Sequence, residues 1–374
     1  MANSTIRIAF TAGGSGGHVF PLLAILEGLQ RVAGEEHIDV EIRYFGPNDK
    51  SIGFLDKSGL PLYKIIAGNG GFLGICKTFV GIAQSLWLLL AYMPDVVFSK
   101  GSYGSLPIVI VAWLYRIPVV IHESDSIPGN ANLFAVRFAK KVMISFEHAK
   151  QFFKTKEPLM VGNPLRMGLY NPIAQIEAKK HFGFNAEKPL ILVLGGSQGA
   201  VAINDFVVNL LPQLLQKTQV LHQVGNANYE AMRGEVAAME DLHRVQNKDE
   251  YKIVGFLEGE EYRNALYAAD VVISRAGAGI IFELAALNRP AVLIPLSGLA
   301  NDHQLFNAQE YAEYGGAEIF EQANLLPHLF LERLFRILET EEVRTKMVEG
   351  AKKFAAPNAA EQIAREILLT GAAH

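Results

Sequence analysis

Three short runs of small residues stand where a buried strand gives way to a helix, and such runs seat anions. The first is Thr11-Ala12-Gly13-Gly14-Ser15-Gly16-Gly17-His18. Its four glycines let the backbone come close to a ligand, and the free N–H groups of a helix start face whatever lies there. The second is Gly195-Gly196-Ser197-Gln198-Gly199-Ala200, in which the Ser197 hydroxyl could reach a phosphate. The third is Ser274-Arg275-Ala276-Gly277-Ala278-Gly279, followed by a helix carrying Glu283, then by Pro295 and Asp302-His303-Gln304. Here the helix start favours negative charge. Arg275 could neutralise a departing diphosphate, and Glu283 could accept two hydrogen bonds from a ribose diol.

Other uses of these patterns fit less well. A dinucleotide fingerprint needs a small residue where Val19 stands, and an acid at the tip of the second strand, which reads Tyr44-Phe45-Gly46. A P-loop needs a lysine after the glycines, and none follows them. Gly195-x-Ser197-x-Gly199 also has the form of a hydrolase nucleophile elbow. Asp270 with His303, or Asp302 with His328, would then complete a triad. That reading leaves the first half of the chain unexplained and finds no oxyanion loop of the His-Gly-Gly kind ahead of the serine.

His18 falls on the first helical turn, beside the first anion seat. An imidazole titrates near neutrality, which suits a general base; the plainer alternative is a residue that only ties down the loop. Farther on, His122-Glu123-Ser124-Asp125 ends another strand. Carboxylates at i and i+2 can clamp a cation, but such pairs are common and no Asp-x-Asp pattern occurs. The expectation is no metal site, and a polar role for Asp125 beside an acceptor.

The elements that must carry these residues follow from hydrophobic periodicity. Apolar runs at Ile6–Thr11, Val40–Phe45, Asp95–Phe98, Val119–His122 and Val142–Ser145 alternate with amphipathic stretches such as His18–Val32 and Ser105–Tyr115. The pattern restarts with Pro189–Leu194, Ala200–Leu215, Gln219–Val224, Ile253–Phe256, Val271–Ser274 and Ala291–Pro295. Such alternation predicts α/β architecture, with two Rossmann-like halves built on parallel sheets that face a shared cleft. Ligands bind beyond the carboxyl ends of such strands, where all three small-residue runs fall. Val161-Gly162-Asn163-Pro164 makes a hinge between the halves.

The bulk numbers agree. A chain of 374 residues exceeds one typical domain. Half its residues are hydrophobic and 19% charged, which excludes a disordered chain, and a net charge of -4 gives no reason to expect nucleic acid. Residues 1–163 hold 15 Lys and Arg against 12 Asp and Glu, while the remainder is net negative. The basic first half is the one suited to an anionic surface. Cys76 is the single cysteine, so no disulfide framework exists and a reducing compartment is expected; no signal peptide is read at the N-terminus. The apolar segment Thr78–Met93 is too short to span a bilayer. It reads as a buried crossover helix for most of its length, with Phe72, Leu73, Ile75 and Lys77 adding an apolar patch that could dip into a membrane interface.

Taken in order, several motifs resemble those of the MurG family, UDP-N-acetylglucosamine transferases that make lipid II in peptidoglycan synthesis. They are Gly13 to Pro21, Ile121 to Asp125 with Pro128, Gly129 and Asn132, Val161 to Arg166, Gly195 to Ala200, Ser274 to Glu283, and Asp302 to Gln304 with Asn307 and Ala308. The resemblance runs nearly end to end and implies a GT-B fold. Residues 1–162, with a C-terminal helix at about 357–370 packing back on them, would form the acceptor and membrane-associating domain. Residues 163–356 would bind UDP-N-acetylglucosamine. On this likeness Arg166 and Ser197 face the donor phosphates and the backbone around Phe256 and Leu257 meets the uracil. Arg275 and the helix start at Ala278, Gly279 and Ile280 meet the diphosphate, while Glu283 takes the ribose and Gln304 the sugar hydroxyls. Ser15, Gly16 and Gly17, with Asp125 beside them, hold the pyrophosphate of lipid I, and His18 is the base. Transfer inverts the anomeric centre and requires no cofactor, with a divalent cation left open. The partners implied are UDP-N-acetylglucosamine, lipid I, the inner face of the cytoplasmic membrane and other cell-wall enzymes. The location implied is cytoplasmic and peripheral to the membrane. A UDP-N-acetylglucosamine 2-epimerase, or a non-catalytic subunit that binds lipid-linked sugars, would share much of this pattern. Many members carry asparagine where this chain has Asp125, so an extra negative charge must be protonated or paired here. Many also carry a hydroxyl residue where Ile280 stands, which leaves only its backbone N–H to serve. Thr78–Met93 is poorer in basic residues than the corresponding family segment.

Overall fold

The computed structural model describes residues 5–13, 16–48, 52–68, 71–195, 199–241, 248–296, 298 and 302–374. The chain divides into two compact units, residues 1–167 with 356–374, and residues 168–355.

The first unit is built on a seven-stranded parallel sheet. Its strands are β1 (Ile6–Thr11), β2 (Val40–Pro47), β3 (Leu62–Ile65), β4 (Val96–Ser99), β5 (Val119–Glu123), β6 (Lys141–Ile144) and β7 (Leu159–Met160), in the order β3-β2-β1-β4-β5-β6-β7. The central strands are continuous apolar runs because helices cover both faces. On one face Phe10, Phe98 and Val120 meet Leu22, Ile25 and Leu29 of the helix Gly16–Glu36, and Ile363 and Ile367 of the last helix, Ala359–Ala372. Gly28 permits that approach, since a Cβ there would lie 2.9 Å from the Ala360 carbonyl oxygen. On the other face Ala9, Val97 and Ile121 meet Ile108 and Val111 of the helix Leu106–Leu114, and Leu89 of the helix Gly71–Tyr92.

That last helix departs from the expectation of a short, buried crossover. It runs 22 residues. Its stretch Gly74–Tyr92 is long and apolar enough to cross a membrane by length and composition. Thr78 and Ser85, which interrupt the apolar run in sequence, bond the carbonyls of Gly74 and Gly81 one turn back, so they do not break the helix. One face packs on the helix Leu106–Leu114, and Tyr115 donates to the Leu86 carbonyl. Ile75, Phe79, Val80, Trp87 and Leu90 are exposed, Trp87 at 72%.

The second unit repeats the plan with six parallel strands: β8 (Leu190–Leu194), β9 (Gln219–Gln223), β10 (Tyr251–Val254), β11 (Val271–Ser274), β12 (Ala291–Leu293) and β13 (Ala317–Ile319), in the order β10-β9-β8-β11-β12-β13. Ile191, Val193 and Ile273 pack against Ile203, Val207 and Leu211 of the helix Val201–Leu214 and against Phe330 and Leu334 of the helix Pro327–Glu339. The strands missed in the sequence, β3, β7 and β13, lie at sheet edges and have two to four residues each.

Candidate functional site

In both sheets the strand order reverses at one point, between β1 and β4 and between β8 and β11. Open parallel sheets bind ligands at such switch points, beyond the carboxyl ends of the strands. The described parts of all three small-residue runs are found there.

In the first unit, Gly13 donates to the Gly101 carbonyl at 3.1 Å and Lys100 to the Thr11 carbonyl at 2.9 Å, which joins the ends of β1 and β4. Gly101 has φ +93°, and a Cβ on it would lie 2.6 Å from the Asn132 amide, so this crossing accepts only glycine. The helix Gly16–Glu36 begins beside the crossing and carries His18 on its first turn. His18 is half-buried, and its Nδ1 is enclosed with no hydrogen-bond partner among the described residues. Burial, then the Lys100 charge, push the imidazole down to about 4, and Asp125 and the Lys100 main chain offset this only partly. His18 is therefore neutral near pH 7. Gly16 and Gly17 open the same helix; Ser15 lies outside the described residues.

The turn after β5 supplies the other wall. Glu123 is buried, and its carboxylate accepts from the Asp125 N–H at 2.9 Å, the Gly129 N–H at 3.3 Å and the Asn132 amide at 2.8 Å. It pins the loop leading to the helix Asn130–Ala135. Burial, then Asp125, raise its carboxyl above the usual range. Among the described residues no group of three His, Cys, Asp or Glu could hold a metal ion. His122 is buried and held by the Gly162 carbonyl at 2.9 Å and Ser145 at 3.3 Å; burial, then Lys100, keep it neutral. Sequence reasoning missed Lys100, which is 1% exposed and donates to the Ser124 hydroxyl. Ser124 passes the chain on to Asn163 at 3.1 Å. The available signal was a lysine at the end of an otherwise apolar strand, followed by glycine.

In the second unit, Gly277 caps the helix Ala278–Ala286 with extended backbone. Ala278, Gly279 and Ile280 form its first turn, and their N–H groups have no helical acceptor. A Cβ on Gly277 or Gly279 would meet nothing within 4 Å among the described residues, so none of these crowds the helix start. Glu283, on the next turn, accepts from the Tyr262 hydroxyl at 2.5 Å. Burial, and then the Glu283 charge, push the Tyr170 phenol up to about 12. Tyr262 holds the carboxylate in place, and neither tyrosine was read from the sequence. Arg275 is no free surface cation: its guanidinium bonds the Ile294 carbonyl at 3.1 Å and Gln322 at 2.6 Å, and burial lowers its pKa. Gln304 accepts from the Leu296 N–H at 3.0 Å, and the Leu257 N–H is engaged by Gln223 at 2.9 Å, with Phe256 half-buried beside it. Ser197 lies outside the described residues. Arg166 belongs to the first unit, where its guanidinium sits 4.9 Å over the Phe20 ring.

The hydrolase reading does not survive this geometry. Asp270 accepts from the Leu190 N–H at 2.8 Å, at the start of β8, and pairs with Lys179. The glycine run follows the other end of that strand, about 16 Å away at about 3.3 Å per residue. Asp302 accepts from the Gly298 N–H, and His328 is an exposed residue on the helix Pro327–Glu339.

Residues 8–144 match the model of the glycosyltransferase family 28 N-terminal domain, and residues 190–363 that of its C-terminal domain. The fold is that of a GT-B glycosyltransferase. A Bacillus cereus protein named UDP-N-acetylglucosamine–N-acetylmuramyl-(pentapeptide) pyrophosphoryl-undecaprenol N-acetylglucosamine transferase 2 is 34% identical over 348 residues, covering 90% of this chain and 93% of the relative. The crystal structure of Acinetobacter baumannii MurG superposes with a TM-score of 0.76 at 28% identity, covering 97% of this chain and 99% of that one. The chain belongs to the MurG family. A UDP-GlcNAc 2-epimerase from Neisseria meningitidis, bound to UDP-GlcNAc, has a TM-score of 0.70 at 14% identity, over 97% of this chain and all of that one. That likeness is one of fold alone.

Proposed function

We propose that this protein transfers N-acetylglucosamine from UDP-N-acetylglucosamine to the muramyl 4-hydroxyl of lipid I, undecaprenyl-pyrophosphoryl-N-acetylmuramyl-peptide, with inversion, to give lipid II. The observation that carries the proposal is the relative identical at 34% over 90% of the chain, together with the neutral His18 beside a helix start on the first unit. The acceptor pyrophosphate sits against the helix start at Gly16 and Gly17, with Ser15 and Asp125 at its edge. His18 takes the proton from the attacking hydroxyl. The pyrophosphate raises its pKa back towards neutrality, because a nearby anion favours the imidazolium, and so strengthens the base where the reaction needs it.

In the second unit the N–H groups of Ala278, Gly279 and Ile280 receive the diphosphate of the donor, with Ser197 and the fixed charge of Arg275. Arg166 adds a further cation to the donor phosphates. Preorganised donors of this kind contribute about 3–4 kcal/mol each at a developing charge. Glu283 holds the ribose, Gln304 the sugar, and the backbone at Phe256 and Leu257 the uracil. No step calls for a metal ligand set.

The protein works on the inner face of the cytoplasmic membrane as a peripheral enzyme. The exposed face of the helix Gly71–Tyr92 supports this, as does Trp113, exposed and edge-on to Phe138 at 5.3 Å. Trp113 and Phe138 line a cavity of about 340 Å³ with Arg116, Arg137, Lys140 and Lys156, an arrangement suited to anionic headgroups. Other cell-wall enzymes at that surface are its expected neighbours.

The test is incubation with radiolabelled UDP-N-acetylglucosamine and a lipid I analogue with a short prenyl chain. Labelled disaccharide-lipid is expected. UDP-N-acetylmannosamine formed without acceptor would support an epimerase, and nucleotide binding without any transfer would support a non-catalytic subunit.

A further inference from the structure

Lys100 is a charged side chain sealed into the first unit, and nothing in the proposed reaction yet uses it. It directly follows β4, beside the helix start that follows β1, and its Nζ lies under the turn after β5, donating to Ser124. That turn holds two carboxylates, Glu123 and Asp125. Glu123 has its oxygens committed to Asp125, Gly129 and Asn132. An acidic pair of this kind repels an anionic ligand, and repulsion in a partly enclosed site is several-fold stronger than in water. Lys100 lies within the electrostatic reach of both carboxylates and of His18.

We propose that Lys100 and Asp125 form one charge-compensated unit: Lys100, through Ser124, fixes the turn after β5 and cancels its second carboxylate, so that a pyrophosphate-bearing acceptor can be held against the helix start. Lys100 is a positioning residue, since Ser124 stands between it and the ligand. Removing either one alone unbalances the site. The Lys100 main-chain bond to Thr11 keeps the charge in register with the first anion seat. The inference rests on the acceptor reading given above.

A double-mutant cycle tests it, with Lys100→Met, Asp125→Asn and the double variant made in the full chain. Each is assayed for transfer from UDP-N-acetylglucosamine to the short-chain lipid I analogue. Lys100→Met is expected to raise the acceptor KM by about tenfold or more, with the donor KM unchanged, because an uncompensated charge acts on the ligand it faces. Asp125→Asn, which keeps the lysine, should lower the acceptor KM. The double variant should return it to within about threefold of wild type, the non-additivity expected of coupled neighbours. A lysine that merely supports the fold would lower the active fraction and kcat without touching the ratio of the two KM values, and Asp125→Asn would not rescue it. An acceptor KM within twofold of wild type in Lys100→Met, or additive effects in the cycle, overturns the proposal. If Lys100→Met does not fold, Asp125→Asn alone decides: a lowered acceptor KM supports the unit, and an unchanged or raised one refutes it. Wild-type protein that makes no labelled product refutes the functional reading itself, whereas variants that misbehave in a protein that turns over refute only this inference.

Discussion

The enclosed Nδ1 of His18 makes a sharp prediction about acid pH. A ring at about 4 rather than the ordinary 6.5 stays neutral far into the acid range. At pH 5.5 the enclosed ring is about 97% neutral, whereas a free imidazole is about 9% neutral. If neutral His18 is the form that reacts, kcat/KM for the acceptor at pH 5.5 should lose no more than about a third of its plateau, where a solvent-exposed histidine would give about an elevenfold loss. Both substrates are pyrophosphate diesters whose ionisation is complete well below this range, so the acid limb belongs to the protein. The assay is initial-rate transfer from pH 4.5 to 8 at subsaturating acceptor, with circular dichroism at each pH to show that the fold persists. Among the histidine ring resonances, the one lost in His18→Gln should not titrate above pH 5, as the buried rings of His122 and His222 should not. In kcat the limb should move upward, since the bound pyrophosphate favours the imidazolium. An acid limb in kcat/KM near 6.5, matched by a His18 resonance titrating there, would refute both the enclosure and the role built on it. His18→Gln turning over at near-wild-type rate would remove His18 as the base even if the ring titrates as expected.

Three further outcomes follow from particular contacts. Gly101→Ala places a methyl group on a φ of +93° and against the Asn132 amide, displacing it from Glu123; urea denaturation should show a loss of about 2–4 kcal/mol, the sum of backbone strain and one charge-assisted hydrogen bond. His222 is held between Tyr251 and Asn204 and pushed down by burial to about 3, so the unfolded chain binds the extra proton below 6.5. Stability should therefore fall as pH drops from 6.5 towards 3, by up to about 1.4 kcal/mol per pH unit from this group, and His222→Phe should flatten that slope in denaturation curves. Glu283→Gln keeps the size of the side chain but loses the charge that Tyr262 anchors; the donor KM should rise about tenfold while the acceptor KM stays put, the loss expected for one charged hydrogen bond.

The parts of the fold legible in the sequence were those in which one strand or helix buries a long run of its own residues. The strands β1, β5, β8 and β11 read clearly because helices cover both faces and almost every position is apolar. Three of the four edge strands, β3, β7 and β13, left no such mark. Both residues of β7 are exposed, and β13 is three residues of intermediate burial, so neither carries a periodic signal. The small-residue turns were legible because their function lies in the backbone, which glycine advertises. What sequence could not reveal was which side chain meets which. Lys100 and Ser124 are 24 residues apart and Arg275 and Gln322 are 47 apart, and only the sheet order brings them together. The helix Gly71–Tyr92 was left between a buried crossover and an outward apolar patch because apolar composition alone does not distinguish a helix facing the core from one facing outward.

The two buried bases of the first unit divide one proton between them in a way that favours the proposed chemistry. Lys100 is lowered by burial only to about 8, because Glu123 and Asp125 offset the cost, so it keeps its proton at neutral pH. His18, next to it, is lowered to about 4 and does not. The Lys100 charge is one of the causes that hold the imidazole down, after burial, because a nearby cation disfavours the imidazolium. The proton rests on the residue that faces the carboxylates, and the imidazole beside the helix start is left free to accept one. With the charges reversed, a charged His18 and a neutral Lys100, the site would still attract an anion but would have no neutral imidazole to take up the hydroxyl proton. Lysine is the stronger base to begin with, and the carboxylates after β5 keep it charged despite burial, which leaves the imidazole as the group able to accept a proton.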